Sequence, residues 1–98
     1  MIDAQTFSWI LLSVHEQGCT RRKISETADA MNHAVPTHQE METSLRWLQE
    51  HGFVREDGGR FVLTETGAAF LAPFRSPTRP IMQTWQAVED AIQMMLQT

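Results

Sequence analysis

Three cations in a row, Arg21-Arg22-Lys23, stand where a helix is expected to begin. The backbone N–H groups of a helix start point outward with partial positive charge, so cations placed there form a natural clamp for phosphate. Farther along, Gln39, Thr43 and Arg46 fall on the outward faces of an expected helix. Glutamine can pair bidentately with adenine and arginine with guanine, so a helix carrying them in a major groove could read base edges. Arg55 and Arg60 flank a tight turn, where a cation can straddle a nucleic-acid backbone or enter a minor groove. The phosphate candidates are therefore Arg21, Arg22, Lys23 and Arg60, and the base-reading candidates are Gln39, Thr43 and Arg46.

Each of these has a plainer reading. The basic triplet is also a solvated polar turn, and Arg55 and Arg60 with Glu56 and Asp57 also make a cross-strand charge pattern. Glu40 and Glu42 lie in the first turns of the expected reading helix, where carboxylates oppose phosphate at short range. Glu40 has a capping task; Glu42 has none.

Other chemistries find little support. His15, His33, His38, His51 and Cys19 are scattered, with no two histidines four apart on a helix and no cysteine pair, so no metal site is expected. Cys19 beside Arg21 and Arg22 has the surroundings of a redox-sensing thiol, and equally those of an ordinary cysteine in a turn. Gly58-Gly59 is a hairpin turn and not a phosphate loop, and Ser, His and Asp lack the contexts that activate a nucleophile. Neither an enzyme nor a cofactor is expected. Trp9, Trp47 and Trp85 are large anchors for packing. With Met31, Met82, Met94 and Met95 they would also suit a small-molecule pocket between the first and last helices.

The chain has 98 residues, enough for one small domain, and a net charge of −4 with histidines neutral. That balance argues against strong non-specific binding to nucleic acid, although local charge matters more than the sum. One cysteine excludes an internal disulfide and fits a reducing compartment. The start lacks the features of a secretion signal, and the apolar run from Trp9 to Val14 is too short to cross a bilayer. A cytoplasmic protein without a membrane partner is expected.

The elements that must position these residues follow from patterning. A first helix is expected over about Ala4 to Gln17, capped by Asp3 and ended by Gly18. It carries one apolar stripe of Phe7, Ile10, Leu11 and Val14 and a second of Trp9 and Leu12, so something must cover it on two sides. A second helix is expected from Lys23 or Ser25 to Met31, with Asn32 as a left-handed exit. Thr37-His38-Gln39-Glu40 reads as a capping box opening a third helix from Thr37 to His51, with Met41, Leu45 and Leu48 inward. Phe53-Val54-Arg55-Glu56, Asp57-Gly58-Gly59 and Arg60-Phe61-Val62-Leu63 read as strand, turn and strand. Thr64 can cap a short helix reaching about Ala72. Residues 75–80 form a stiff proline-rich link. In the last helix Ile81, Trp85, Val88, Ile92 and Met95 alternate by four and three, an a/d seam over two heptads.

The run Ser44-Leu45-Arg46-Trp47-Leu48-Gln49-Glu50-His51-Gly52-Phe53-Val54 is similar to the "LxxLxxxGxV" run of small bacterial winged helix-turn-helix proteins related to PadR- and MarR-type regulators. Phe61-Val62-Leu63-Thr64-Glu65-Thr66-Gly67 resembles their strand leading into an "LTxxG" helix start. The resemblance covers about residues 6–72. It implies a mainly α fold with a small β-hairpin: a winged helix-turn-helix over residues 1–74, the link at 75–80, and an additional C-terminal packing or dimerisation helix over 81–98. It also implies a DNA-binding transcriptional regulator. A homodimer is expected, its interface drawn from Ile81, Trp85, Val88, Ile92, Met95, Trp9 and Leu12. The alternative is a winged helix that binds a protein partner in place of double-stranded DNA, an alternative motivated by the acidic charge balance.

Overall fold

In a computed structural model, which describes residues 2–97, five helices and one hairpin close over a single apolar core. The order is α1 (Ala4–Leu12), α2 (Arg21–Asn32), α3 (His38–Glu50), β1 (Val54–Asp57), β2 (Arg60–Leu63), α4 (Glu65–Leu71), a 3-10 turn (Ala72–Phe74) and α5 (Ile81–Leu96). The fold is mainly α with a small β-hairpin, a winged helix-turn-helix with one added C-terminal helix.

Local chemistry sets most of the boundaries. Asp3 caps α1 through the Gln5 N–H. Thr37 and Glu40 exchange side-chain-to-backbone hydrogen bonds of 3.0 and 2.9 Å, the reciprocal capping box expected at the start of α3. Thr64 caps α4 through the Gly67 N–H at 2.9 Å. β1 and β2 pair antiparallel, Val54 opposite Leu63 and Asp57 opposite Arg60. The two-residue turn between them has φ of 59° at Gly58 and 82° at Gly59, positive at both positions as a twisted hairpin requires.

Three boundaries differ from the sequence expectation. α1 stops at Leu12, five residues short of Gln17. The Ser13 hydroxyl donates to the Trp9 carbonyl at 2.9 Å, and the chain turns so that Cys19 can pair with Phe61 through hydrogen bonds of 2.9 and 2.7 Å. Gly18 remains the left-handed residue of that turn, now within the connection to α2. α2 starts at Arg21, because Thr20 accepts the Lys23 N–H as its N-cap. The basic triplet is thus the first turn of the helix and not the connector before it. The left-handed exit from α2 is His33, with φ of 55°, and not Asn32.

α1 is the centre of the packing. One side meets α3, where Phe7 stacks on Trp47 with ring centroids 4.7 Å apart. The other side carries the second apolar stripe, and α5 covers it. The Trp85 indole N–H reaches the Ser8 hydroxyl at 2.9 Å and the Gln5 carbonyl at 3.1 Å, while the Trp9 indole N–H donates to the Ala28 carbonyl of α2 at 3.0 Å. The Trp9 and Trp85 rings lie 6.0 Å apart. Trp9, Leu12, Trp85, Val88 and Ile92 are all buried within the one chain. This corrects the expected dimer seam: those five side chains are engaged with their own molecule. Met95 packs partly on the core, and only Ile81, half exposed, projects from the original set. The C-terminal helix accordingly packs into the domain's core.

Among the described residues, no helix is long and apolar enough to cross a membrane.

Candidate nucleic-acid interface

α3 turns Met41, Leu45 and Leu48 into the core, so the opposite side of the helix is set by the same periodicity. Gln39, Thr43, Arg46 and Glu50 occupy that side at intervals of four, three and four. Gln39, Arg46 and Glu50 are exposed and Thr43 is half-buried. The structure therefore brings the three expected base-reading side chains into one outward stripe. It adds Glu50 to the far end, an acid that sequence reasoning passed over. A shallow cleft beside the near end is lined by Ile2 together with Thr37, Gln39, Glu40 and Thr43. The start of the chain thus runs alongside the stripe, a long-range placement that no local pattern announces.

The four phosphate candidates are less free than their sequence suggests. Arg21 makes a two-pronged ion pair with Glu42 of α3, Nε to Oε2 at 2.7 Å and Nη2 to Oε1 at 3.0 Å. Its guanidinium carbon also lies 4.7 Å from the centre of the Phe61 ring on β2. Arg22 leans toward Glu26 one turn on, at 3.6 Å. Arg60 donates to the Gly18 carbonyl at 2.9 Å and fastens the α1–α2 connection to the wing. Lys23 lines a notch with Arg60, Thr20, Cys19 and His15, about 380 Å³ in volume. Arg55 on β1 is exposed.

Glu42, which had no task in the sequence, now has one. Its carboxyl is held below the usual carboxylate range, first by the hydrogen bonds from Arg21 and then by the electrostatic pull of Arg21, His38 and Arg46; partial burial opposes this. The Arg21 guanidinium is correspondingly held further toward its charged form, mainly by Glu42. A carboxylate with a lowered pKa adds stability above the ordinary carboxylate range, and that contribution is lost as pH falls through the lowered value. Both partners are partly exposed, 46% for Arg21 and 29% for Glu42, so the net contribution to stability is small.

The remaining candidates fall out of the site. Cys19 is buried at the bridge to Phe61. His51 lies with Nδ1 2.9 Å from the Trp47 carbonyl oxygen and its ring stacked on the Trp47 indole, 4.0 Å between centroids. His15 pairs with Thr27 at 3.3 Å. Among the described residues, no three His, Cys, Asp or Glu side chains gather closely enough to hold a metal ion.

The interface so built is a ridge of neutral and basic groups along α3, closed at its far end by Glu50 and neighboured by the first turn of α2 and the wing. Among the described residues, its one two-pronged ion pair lies across the α2–α3 junction. No family model, curated protein or solved structure matches the chain.

Proposed function

We propose that the protein is a winged-helix transcriptional regulator that binds duplex DNA, with α3 in the major groove. The observation that carries this reading is the stripe of Gln39, Thr43 and Arg46, aligned on the solvent side of a helix whose inner side is locked by Met41, Leu45 and Leu48. Gln39 and Arg46 supply the hydrogen-bonding groups that distinguish adenine and guanine. Lys23, Arg55 and Arg60 lie on the neighbouring α2 and wing, with Lys23 and Arg60 lining one notch, where backbone phosphates would be met.

With few unengaged cations, binding should depend on salt weakly for a DNA-binding protein. Three phosphate contacts give a log–log slope of about −3, far from the slope of a strongly basic repressor. The test is selection of bound duplexes from a randomised pool at low salt, followed by anisotropy titrations with the enriched sequence. Arg46→Ala is expected to cost about 1–3 kcal/mol on that sequence and to relax the preference at one base position. Lys23→Ala is expected to weaken all duplexes alike and to reduce the salt slope by about 1. A pool that shows no enrichment and no binding at low salt would favour the rival reading, a winged helix that uses this ridge for a protein partner. That rival draws its support from Glu50 and from the neutralised Arg21.

A twofold operator would need a second copy of the chain. With the α5 seam closed internally, such a copy would have to be held by what α5 leaves bare, chiefly Ile81, Met82 and Met94.

A further inference from the structure

The contact between Arg21 and Glu42 joins the first turn of α2 to the outward flank of α3, and it sits inside the proposed DNA interface. Its geometry is fixed from three sides. Two hydrogen bonds of 2.7 and 3.0 Å hold the guanidinium edge, the Phe61 ring lies beneath its plane, and Glu42 stands on a rigid helix within reach of the fields of His38 and Arg46. Stability does not account for the pair, since both partners are partly exposed. Nor does helix capping, which Thr37 and Glu40 already perform. What the pair does accomplish is to occupy the arginine best placed, at a helix start, to take a phosphate from any duplex.

We infer that Glu42 tempers the domain's sequence-independent grip on DNA: by holding Arg21 it withholds one phosphate contact, so that every duplex is bound more weakly than the cations alone would allow. This rests on the DNA-binding reading above. An acid at this place suppresses the sequence-independent part of binding, which comes from phosphate neutralisation, and leaves base contacts untouched.

The experiment is a double-mutant cycle on binding of a mixed-sequence duplex, read by anisotropy from 0.05 to 0.3 M salt. Glu42→Gln frees Arg21 and is expected to tighten binding about eightfold at 0.1 M salt and to steepen the log–log slope by about 0.9, the effect of one added phosphate contact. In the Arg21→Met background, which keeps an aliphatic cover on Phe61, Glu42→Gln should give almost no gain and no change of slope. Glu50→Gln removes an equal charge from the same helix without freeing an arginine, and should leave the slope unchanged. The inference is overturned if Glu42→Gln tightens binding equally with and without Arg21, or if its effect matches that of Glu50→Gln. Absence of binding by wild type and by Glu42→Gln alike, at the lowest salt, would sink the DNA-binding reading itself. Binding by wild type with no response to Glu42→Gln would sink only the role given to Glu42.

Discussion

Gly67→Ala is expected to destabilise the domain by about 3 kcal/mol, the upper end of overpacking costs, and to lower its melting temperature by roughly 15 °C. The sign is the informative part. Gly67 lies inside α4, where alanine normally improves a helix by about 0.5–1 kcal/mol. Here a Cβ would fall on the Phe53 carbonyl oxygen and within 2.9 Å of the Leu63 side chain. That carbonyl cannot step aside, since it accepts the Thr64 N–H at 3.0 Å, while the Thr64 hydroxyl reaches the neighbouring Gly52 carbonyl. The glycine is therefore what lets α4 lie directly against the entry to β1, and with it sets the position of the wing. Thermal unfolding followed by circular dichroism decides the matter; a melting temperature that rises with Gly67→Ala would mean that α4 stands farther from the strand.

Trp85→Ala is expected to cost about 3–5 kcal/mol, the range for a large aromatic removed from a core. Trp85 is buried against α1, stacks near Trp9, and donates to both Ser8 and Gln5. Trp85→Phe keeps most of the volume, loses the N–H, and should cost nearer about 1 kcal/mol. Removal of residues 81–98 exposes the Trp9 and Leu12 stripe of α1 and should abolish cooperative unfolding altogether. Denaturant titration of the three variants measures all of this. A truncated chain that still unfolds cooperatively, with the midpoint of the full chain, would mean that α5 contributes nothing to the core. Because Trp85 is buried in its own chain, Trp85→Glu would probe folding and not self-association.

Much of this fold is written in short stretches of sequence. Thr37 with Glu40, Thr64 before α4, and the Gly58-Gly59 pair are local devices whose partners lie within a few residues, so reading them in order locates α3, α4 and the hairpin. Thr20 was equally local: a threonine immediately before the basic triplet is a cap, and it places Arg21 inside the helix. Other features depend on distant partners and have no local trace. Ser13 and Cys19 end α1 early because Cys19 must reach Phe61, 42 positions farther on. The α5 heptads announce an apolar seam but not whose surface will meet it, and α1 of the same chain does so. The site shows the same division. Periodicity sufficed to align Gln39, Thr43 and Arg46 on the solvent side of α3, since their orientation follows from Met41, Leu45 and Leu48. It could not show that Arg21 and Glu42, 21 positions apart, would pair across two helices, because ion-pair choice is made by tertiary proximity. That pairing changes the electrostatics most: the residue that seemed to oppose phosphate and the residue that seemed to bind it hold each other.

The central claim, that α3 presents a DNA-reading surface, is tested most directly by amide chemical-shift mapping during titration with the selected duplex at low salt. The account predicts that the largest perturbations fall on residues 39, 43 and 46, with smaller ones at 23, 55 and 60, and that the amides of α5 scarcely move. Perturbations confined to α5, or none anywhere as duplex is added in excess, would contradict it.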